Sequence, residues 1–225
     1  MTLWLSSGKI LAAAAALAAM VWAPSLTDAQ PAPPAEWMPL FDGTSLQGWR
    51  ETAFSGHGKV GVADGAIVLG KGVLTGITWT GAFPKANYEI RLEAMRVDGY
   101  DFFAGITFPV HDSYCSWING GWGGTVVGLS SLDSMDASEN DTSVRVSFET
   151  GRWYRLRLRV TDDRIQAWID DEAAIDAYIG SREVDLRPGE IELSKPLGIA
   201  SYSTTAKLRK LEYRAIAAPG EQKGR

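Results

Sequence analysis

The sequence predicts an all-β protein, two antiparallel sheets packed as a jelly-roll sandwich, and three observations carry that expectation. Beyond an amino-terminal apolar run, no window of a dozen residues sustains an amphipathic helical stripe, so helices are not expected. Apolar and polar residues instead alternate over short runs, as they do on strands with one buried face. Turn residues recur about every 8–12 positions, the spacing of strands in a sandwich or barrel, and roughly eleven to thirteen short strands fit the chain.

Residues 1–29 carry a free amine and Lys9, then an apolar run from Ile10 to Trp22, then small residues up to Ala29. This is the pattern of a cleaved signal peptide, because about 13 apolar residues fall short of the roughly 20 needed to span a bilayer. QPAPPAE (30–36) reads as an extended linker, since proline fixes φ and removes backbone donors. One domain is expected over 37–217 and a disordered tail over 218–225. The expected location is secreted or periplasmic, without stable membrane insertion after cleavage.

LFDGTSLQGW (40–49) marks the start of the fold. Apolar Leu40, Phe41, Leu46 and Trp49 flank two glycines, so the chain arrives as a strand, turns at Asp42-Gly43 and buries an indole. Residues 59–69 read as a hairpin around Asp64-Gly65, a dipeptide that accepts positive φ. Strands are expected over 74–79 and over 88–94, where Tyr88, Ile90, Leu92 and Ala94 alternate with Glu89, Arg91 and Glu93. The run 102–108 is apolar on both faces and reads as a central strand ended by Pro109. Runs 114–118 and 125–129 flank Gly120-Gly-Trp-Gly-Gly124, and 130–142 reads as an acidic loop, long enough to suspect a function. Residues 153–160, 165–169 and 173–177 form a meander. It puts Tyr154, Leu156, Leu158 and Val160 inward and Trp153, Arg155, Arg157, Arg159 and Trp168 outward, a face that reads as plain solvated surface or as a cross-strand cation–π pair of Trp168 with Arg157 or Arg159. Runs 197–202 and 208–216 close the domain.

The net charge of −5 argues against nucleic acid as partner, because phosphate binding needs a basic surface. Cys115 is the only cysteine, so no intramolecular disulfide forms, and its aromatic neighbours mark it as a small buried hydrophobe.

Five segments in this order, LFDGTSLQGWR, KVGVADGAIVLGKGVLTG, NYEIRLEAMRVDGYDFFAGITFPV, GRWYRLRLRVTDDRIQAWIDDE and LRKLEYRAI, resemble the 3-keto-disaccharide hydrolase domain family over nearly the whole mature chain. The resemblance implies a concanavalin- or laminin-G-like jelly roll. It also implies carbohydrate as partner and cleavage of a glycoside already oxidised to a ketone at C3, by removal of the acidic C2 proton and loss of the C1 substituent. The chain departs from the family at Asp101-Phe-Phe-Ala-Gly-Ile106, where many members carry an Asn-Ser-Gly-Ile-type segment, and in the loop HDSYCSWINGGWGG, so it forms a divergent branch. Jelly rolls also host binding modules, and a non-catalytic glycan- or protein-binding module of the cell envelope is the alternative expectation.

Chemistry of that kind needs a base near C2, an acid for the leaving oxygen and a cation or donor for the enolate. His111 is the first candidate, since an imidazole exchanges protons near neutrality; the competing reading is a solvated turn histidine. Asp112 is a candidate acid or an Asx turn, and Asp101 is a catalytic carboxylate or a structural bond to a neighbouring loop. Trp122, held between glycines, suits a pyranose platform or else folds back as a lid over the core, with Tyr114 and Asn119 as further substrate-binding residues. No cofactor is expected. Calcium is the one cation that Asp133, Asp136, Glu139, Asn140 and Asp141 could take, against a plain solvated loop.

Overall fold

The computed structural model describes residues 35–217, together with Met1 and Thr2. The expected signal peptide beyond those two residues, positions 30–34 of the linker and the tail 218–225 lie outside the described residues. Among the described residues, no helix is long and apolar enough to cross a membrane.

The strands in chain order are β1 (Met38–Pro39), β2 (Trp49–Glu51), β3 (Val60–Ala63), β4 (Ala66–Leu69), β5 (Leu74–Trp79), β6 (Tyr88–Gly99), β7 (Gly105–Val110) and β8 (Ser113–Gly121). They continue as β9 (Val126–Ser130), β10 (Val144–Arg145), β11 (Trp153–Val160), β12 (Arg164–Ile169), β13 (Glu172–Tyr178), β14 (Gly198–Tyr202) and β15 (Thr204–Ala215), with one short 3₁₀ helix at Glu190–Ser194 before β14. An eight-stranded sheet runs β13-β12-β11-β6-β15-β4-β3, with β1 also paired to β15. A seven-stranded sheet runs β10-β9-β8-β7-β14-β5-β2. Every pairing is antiparallel. Both sheets turn one face into a single hydrophobic cluster that includes Tyr88, Leu92, Phe108, Trp117, Leu158 and Ile199. The two-sheet jelly-roll sandwich expected from the alternation is therefore the fold.

Local sequence explains the elements. Asp64 and Gly65 both take positive φ, 52° and 72°, the backbone that joins two strands with matching twist. In β11, Tyr154, Leu156, Leu158 and Val160 are buried, each at most 2% exposed. Leu208 and Leu211 also both face the core, although three residues apart. A register shift between Arg209 and Glu212 restores the phase.

Two expectations need correction. Pro109 does not end the central strand: β7 runs on to Val110, and Pro109 pairs with Tyr114 of β8. On its other side β7 meets β14 only at 105–107, so at Pro109 the ladder asks for no donor there, and an edge position tolerates proline. The second concerns the arginine face of the eight-stranded sheet, where of the two readings the cation–π pairing of Trp168 with Arg157 holds and the plain solvated surface gives way to an ordered layer. The side chain of Glu89 is fully buried there, although it belongs to the outward set. It accepts from Arg159 Nε at 2.6 Å and from Arg214 Nε at 2.7 Å, with Arg157 Nη1 at 3.4 Å. Arg157 stacks 3.8 Å over Trp168, Arg91 4.1 Å over Trp37 and Arg209 4.0 Å over Trp153. Burial alone would raise the Glu89 pKa, but the hydrogen bonds and charges of Arg159 and Arg214 outweigh it and hold the carboxyl below its ordinary value.

A group with a depressed folded-state pKa contributes stability above its unfolded value and loses it as pH falls through the folded one. Acid should therefore weaken the domain from the ordinary glutamate range downward, and Glu89→Ala should cost roughly 3 kcal/mol at neutral pH and flatten that acid dependence. Denaturant melts between pH 7 and pH 3 check both. Cys115 lies fully inside the core, and burial pushes its thiol up to about 12. The native protein should therefore resist iodoacetamide and become fully alkylated only after unfolding, as read by intact mass.

Candidate functional site

The site is built on the face of the seven-stranded sheet turned away from the core. Ile106, Phe108, Cys115, Trp117 and Ile199 point inward, so their alternates Gly105, Thr107, Ser116, Ile118, Gly198 and Ala200 form the other face. Loops cover this face where side chains are smallest. A Cβ built at Gly198 would fall 2.6 Å from Ser194 Cβ of the 3₁₀ helix, and one at Gly128 would fall 2.7 Å from the Ala137 carbonyl. Each glycine thus admits an overlying segment that a larger residue would lift off. Phe54 and Phe102 set their rings against Gly76 and Gly105 in the same manner.

Between these contacts a groove of about 430 Å³ remains, within the size range of small-molecule sites. Leu74, Ser116, Ile118 and Ser130 rise from the sheet, and Asp101, Phe102, Trp122 and Tyr202 line it together with Arg187, Pro188, Glu190 and Ile191. Phe102 and Tyr202 stack with centroids 5.9 Å apart and planes 27° apart. Trp122 is 41% exposed and sits at φ 48°, a backbone that L residues adopt only when their surroundings insist.

Asp101 and Arg96 fix the surroundings of Trp122. Asp101 Oδ2 accepts the Gly123 N–H at 3.0 Å, and Oδ1 accepts the Phe102 N–H at 2.8 Å. Arg96, 6% exposed, donates through Nη2 to the carbonyls of Gly124 (3.0 Å), Asp101 (3.2 Å) and Gly120 (3.4 Å), and through Nη1 to that of Phe148 (3.4 Å). Burial lowers the Arg96 pKa, partly offset by the Asp101 carboxylate. Glu190 holds the Ser55 N–H with Oε2 at 2.9 Å, and Arg187 Nη1 lies 3.5 Å from Asp136 Oδ2.

Of the residues singled out from sequence, the structure brings Asp101 and Trp122 into one groove and places the other four outside its lining. His111 occupies the β7–β8 turn at φ 53°; its N–H donates to the Lys85 carbonyl at 2.7 Å, and its Nε2 lies 2.8 Å from the Asp162 carbonyl oxygen. Asp112 is 95% exposed and paired with Lys85 at 2.6 Å, a contact that lowers its pKa. The nine residues of β8 separate this turn from Trp122 by about 30 Å of strand. Tyr114 is half-buried, with Lys195 Nζ 5.2 Å from its ring centroid. Asn119 lies fully buried, donating Nδ2 to the Ala104 carbonyl at 3.0 Å.

The acidic loop is tied to its neighbours. Arg182 binds Asp133 and Asp141, each at 2.8 Å, and Asn140 Nδ2 donates to the carbonyls of Leu129, Met135 and Asp136. Among the described residues, no three His, Cys, Asp or Glu side chains gather as a metal-binding set.

Sequence reasoning missed Arg96, Arg187, Glu190 and Tyr202. A signal existed for three of them. The alternation that sends Tyr88, Ile90, Leu92 and Ala94 inward sends Arg96 inward too, and a charge on a core face demands partners. Arg187-Pro-Gly-Glu190 carries a Pro-Gly turn signature that marks a built loop rather than a mere connection.

Solved structures share this architecture. A carbohydrate-binding module of type CBM66 from Bacillus subtilis superposes with a TM-score of 0.52 at 13% identity, over 75% of this chain and 96% of that one. A β-glucanase from Bacillus licheniformis gives 0.54 at 8% identity, over 82% and 99%. Domain 4 of an extracellular GH43 arabinanase from Geobacillus stearothermophilus gives 0.50 at 16%, over 77% and 85%. No curated protein matches the sequence. At such low identity these likenesses establish the sandwich alone, whereas the family model described as a 3-keto-alpha-glucoside-1,2-lyase-like domain matches residues 36–214. The chain belongs to the 3-keto-α-glucoside-1,2-lyase-like domain family.

Proposed function

We propose that this domain is an exported carbohydrate-active enzyme that binds a 3-keto-glycoside in the groove and cleaves it by elimination. The observation that carries the reading is the convergence in one groove of aromatic surface, two carboxylates and a guanidinium. A pyranose offers an apolar face to an indole and hydroxyls to flanking polar groups, and Trp122 with Ser116 and Ser130 supplies both. The structural neighbours named for carbohydrate binding and glycan cleavage fit the same reading.

The chemistry follows from the ketone. A base removes the C2 proton, the electron pair forms an enolate with its charge on the C3 oxygen, and the C1–O bond then breaks. The leaving oxygen takes a proton, and water adds across the new C1–C2 double bond to complete hydrolysis. Glu190 is the base in this scheme: its Oε2 is anchored by the Ser55 N–H, which orients Oε1 for proton transfer. Arg187 supplies the cation that holds the developing enolate. Asp101 is the poorer base, because both of its oxygens already accept backbone N–H groups.

A binding module is the second reading, favoured by the aromatic wall of Phe102, Trp122 and Tyr202. Turnover separates the two. The wild type should release sugar from a 3-keto-disaccharide and leave the unoxidised parent intact, since only the ketone acidifies C2. Glu190→Gln should lower turnover by roughly 10²–10⁴-fold, the usual worth of general base catalysis. His111→Ala, altered in a distant turn, should leave it within about twofold. Binding of the 3-keto sugar without any turnover by the wild type would place the protein among the binding modules. Export rests on residues 1–29, and a mature chain starting near Gln30 and recovered outside the cytoplasm, read by intact mass, is the expected result.

A further inference from the structure

We infer that Arg96 and Asp101 form a two-sided clamp whose work is to hold the Trp122 indole in its sugar-stacking pose, as positioning residues rather than reacting ones. This inference rests on the groove being the sugar site. The loop that carries Trp122 has no strand pairing of its own between Gly121 and Val126. Such a four-residue excursion, closed on itself through the Gly124 and Thr125 N–H groups on the Gly121 carbonyl, would ordinarily leave an exposed tryptophan to sample several conformations. Here it is fixed from two directions. Beneath it, the guanidinium of Arg96 collects the carbonyls at both loop ends, Gly120 and Gly124, and ties them to the Asp101 carbonyl. Above it, the Asp101 carboxylate takes the N–H of Gly123, the residue after Trp122.

The fit is close at the clamp. A Cβ at Gly120 would lie 2.5 Å from Arg96 Nη2, so the loop can approach the guanidinium only because that position has no side chain. Arg96 Nε is buried without an acceptor, an unsatisfied donor whose cost must be offset by the contacts its other nitrogens make. A buried arginine used only to fill space would be a poor choice against an apolar residue; a planar fork that reaches several carbonyls at once is something no apolar side chain supplies. The carboxylate opposite keeps that charge accompanied, since Asp101 faces Arg96 electrostatically. The clamp therefore links the one inward charge of β6 to the one exposed indole of the groove. Its benefit is pre-organisation: an indole already in its stacking pose loses no freedom when sugar arrives.

The test reads the indole directly. Label the protein with 5-fluorotryptophan and assign Trp122 in the ¹⁹F spectrum as the line absent from Trp122→Phe. In Asp101→Asn a single carboxamide oxygen is left for the Phe102 and Gly123 N–H groups that the two carboxylate oxygens now accept, and the amide NH₂ opposes the other donor, so the Trp122 line should broaden or split while the other tryptophan lines keep their positions. Arg96→Lys, which cannot reach both loop ends, should do the same, and unchanged core lines certify that the variant is folded. A Trp122 line that stays sharp and unshifted in folded Asp101→Asn overturns the inference, whatever the sugar experiments give. In the binding arm, affinity for methyl 3-keto-α-glucoside should drop about tenfold in Asp101→Asn, as expected for lost pre-organisation. That drop should vanish in the Trp122→Ala background. A loss that persists without the indole means that Asp101 touches the sugar itself and overturns the positioning role. A perturbed Trp122 line with no sugar bound by the wild type supports the clamp and defeats the sugar site instead.

Discussion

The seven-stranded sheet has both faces buried over most of its width, and everything distinctive in the structure follows from roofing its outer face with irregular chain. Loops carry backbone polar groups that must be paired when they are laid over a sheet. The 3₁₀ helix does this at Gly198, where its Leu193 carbonyl accepts the Thr78 hydroxyl at 3.2 Å. The acidic loop does it beside Gly128, with Asn140 answering three carbonyls. The roof is therefore bound at fixed points, and the groove is the interval between them. Its lining draws on chain far apart in sequence, from Leu74 to Tyr202, which is what a rigid scaffold with loops laid across it makes available.

The opposite sheet solves the same problem without a roof. Its outer face carries arginines on β6, β11 and β15 that stack on Trp37, Trp153 and Trp168, and those of β11 and β15, with Lys210, converge on Glu89 and Glu93. Guanidinium planes cover the indoles while their edges meet carboxylate and water, so apolar surface is shielded by charge instead of chain. The two faces thus diverge in use. One is satisfied within itself, and the other leaves aromatic and charged groups facing a cavity.

The fold was legible in the sequence because period-two alternation and turn dipeptides are local properties. Strand β5 matches the expected 74–79, and the Asp64-Gly65 hairpin has the positive φ values that its residues favour. Pro109 misled because its tolerance depends on how far β14 extends alongside β7, a tertiary fact. The site was legible only in fragments. Trp122 and Asp101 stood out by their neighbours, but Arg187, Glu190 and Tyr202 come from segments whose meeting is set by topology. His111 was weighed as a proton carrier against a turn histidine, and its place is the β7–β8 turn. Arg96 was the readable clue left unread, since a charge in phase with Tyr88, Ile90, Leu92 and Ala94 has to be accounted for.

The central claim is that sugar occupies the groove on the seven-stranded sheet, and a crystal structure of the protein soaked with a 3-keto-glucoside addresses it directly. The account requires the pyranose ring to lie against the Trp122 indole and over Ile118, with its C3 oxygen toward Arg187 and its C2 hydrogen toward Glu190. A sugar bound instead at the β7–β8 turn beside His111, or on the arginine face around Trp168, with the groove left empty, would contradict it.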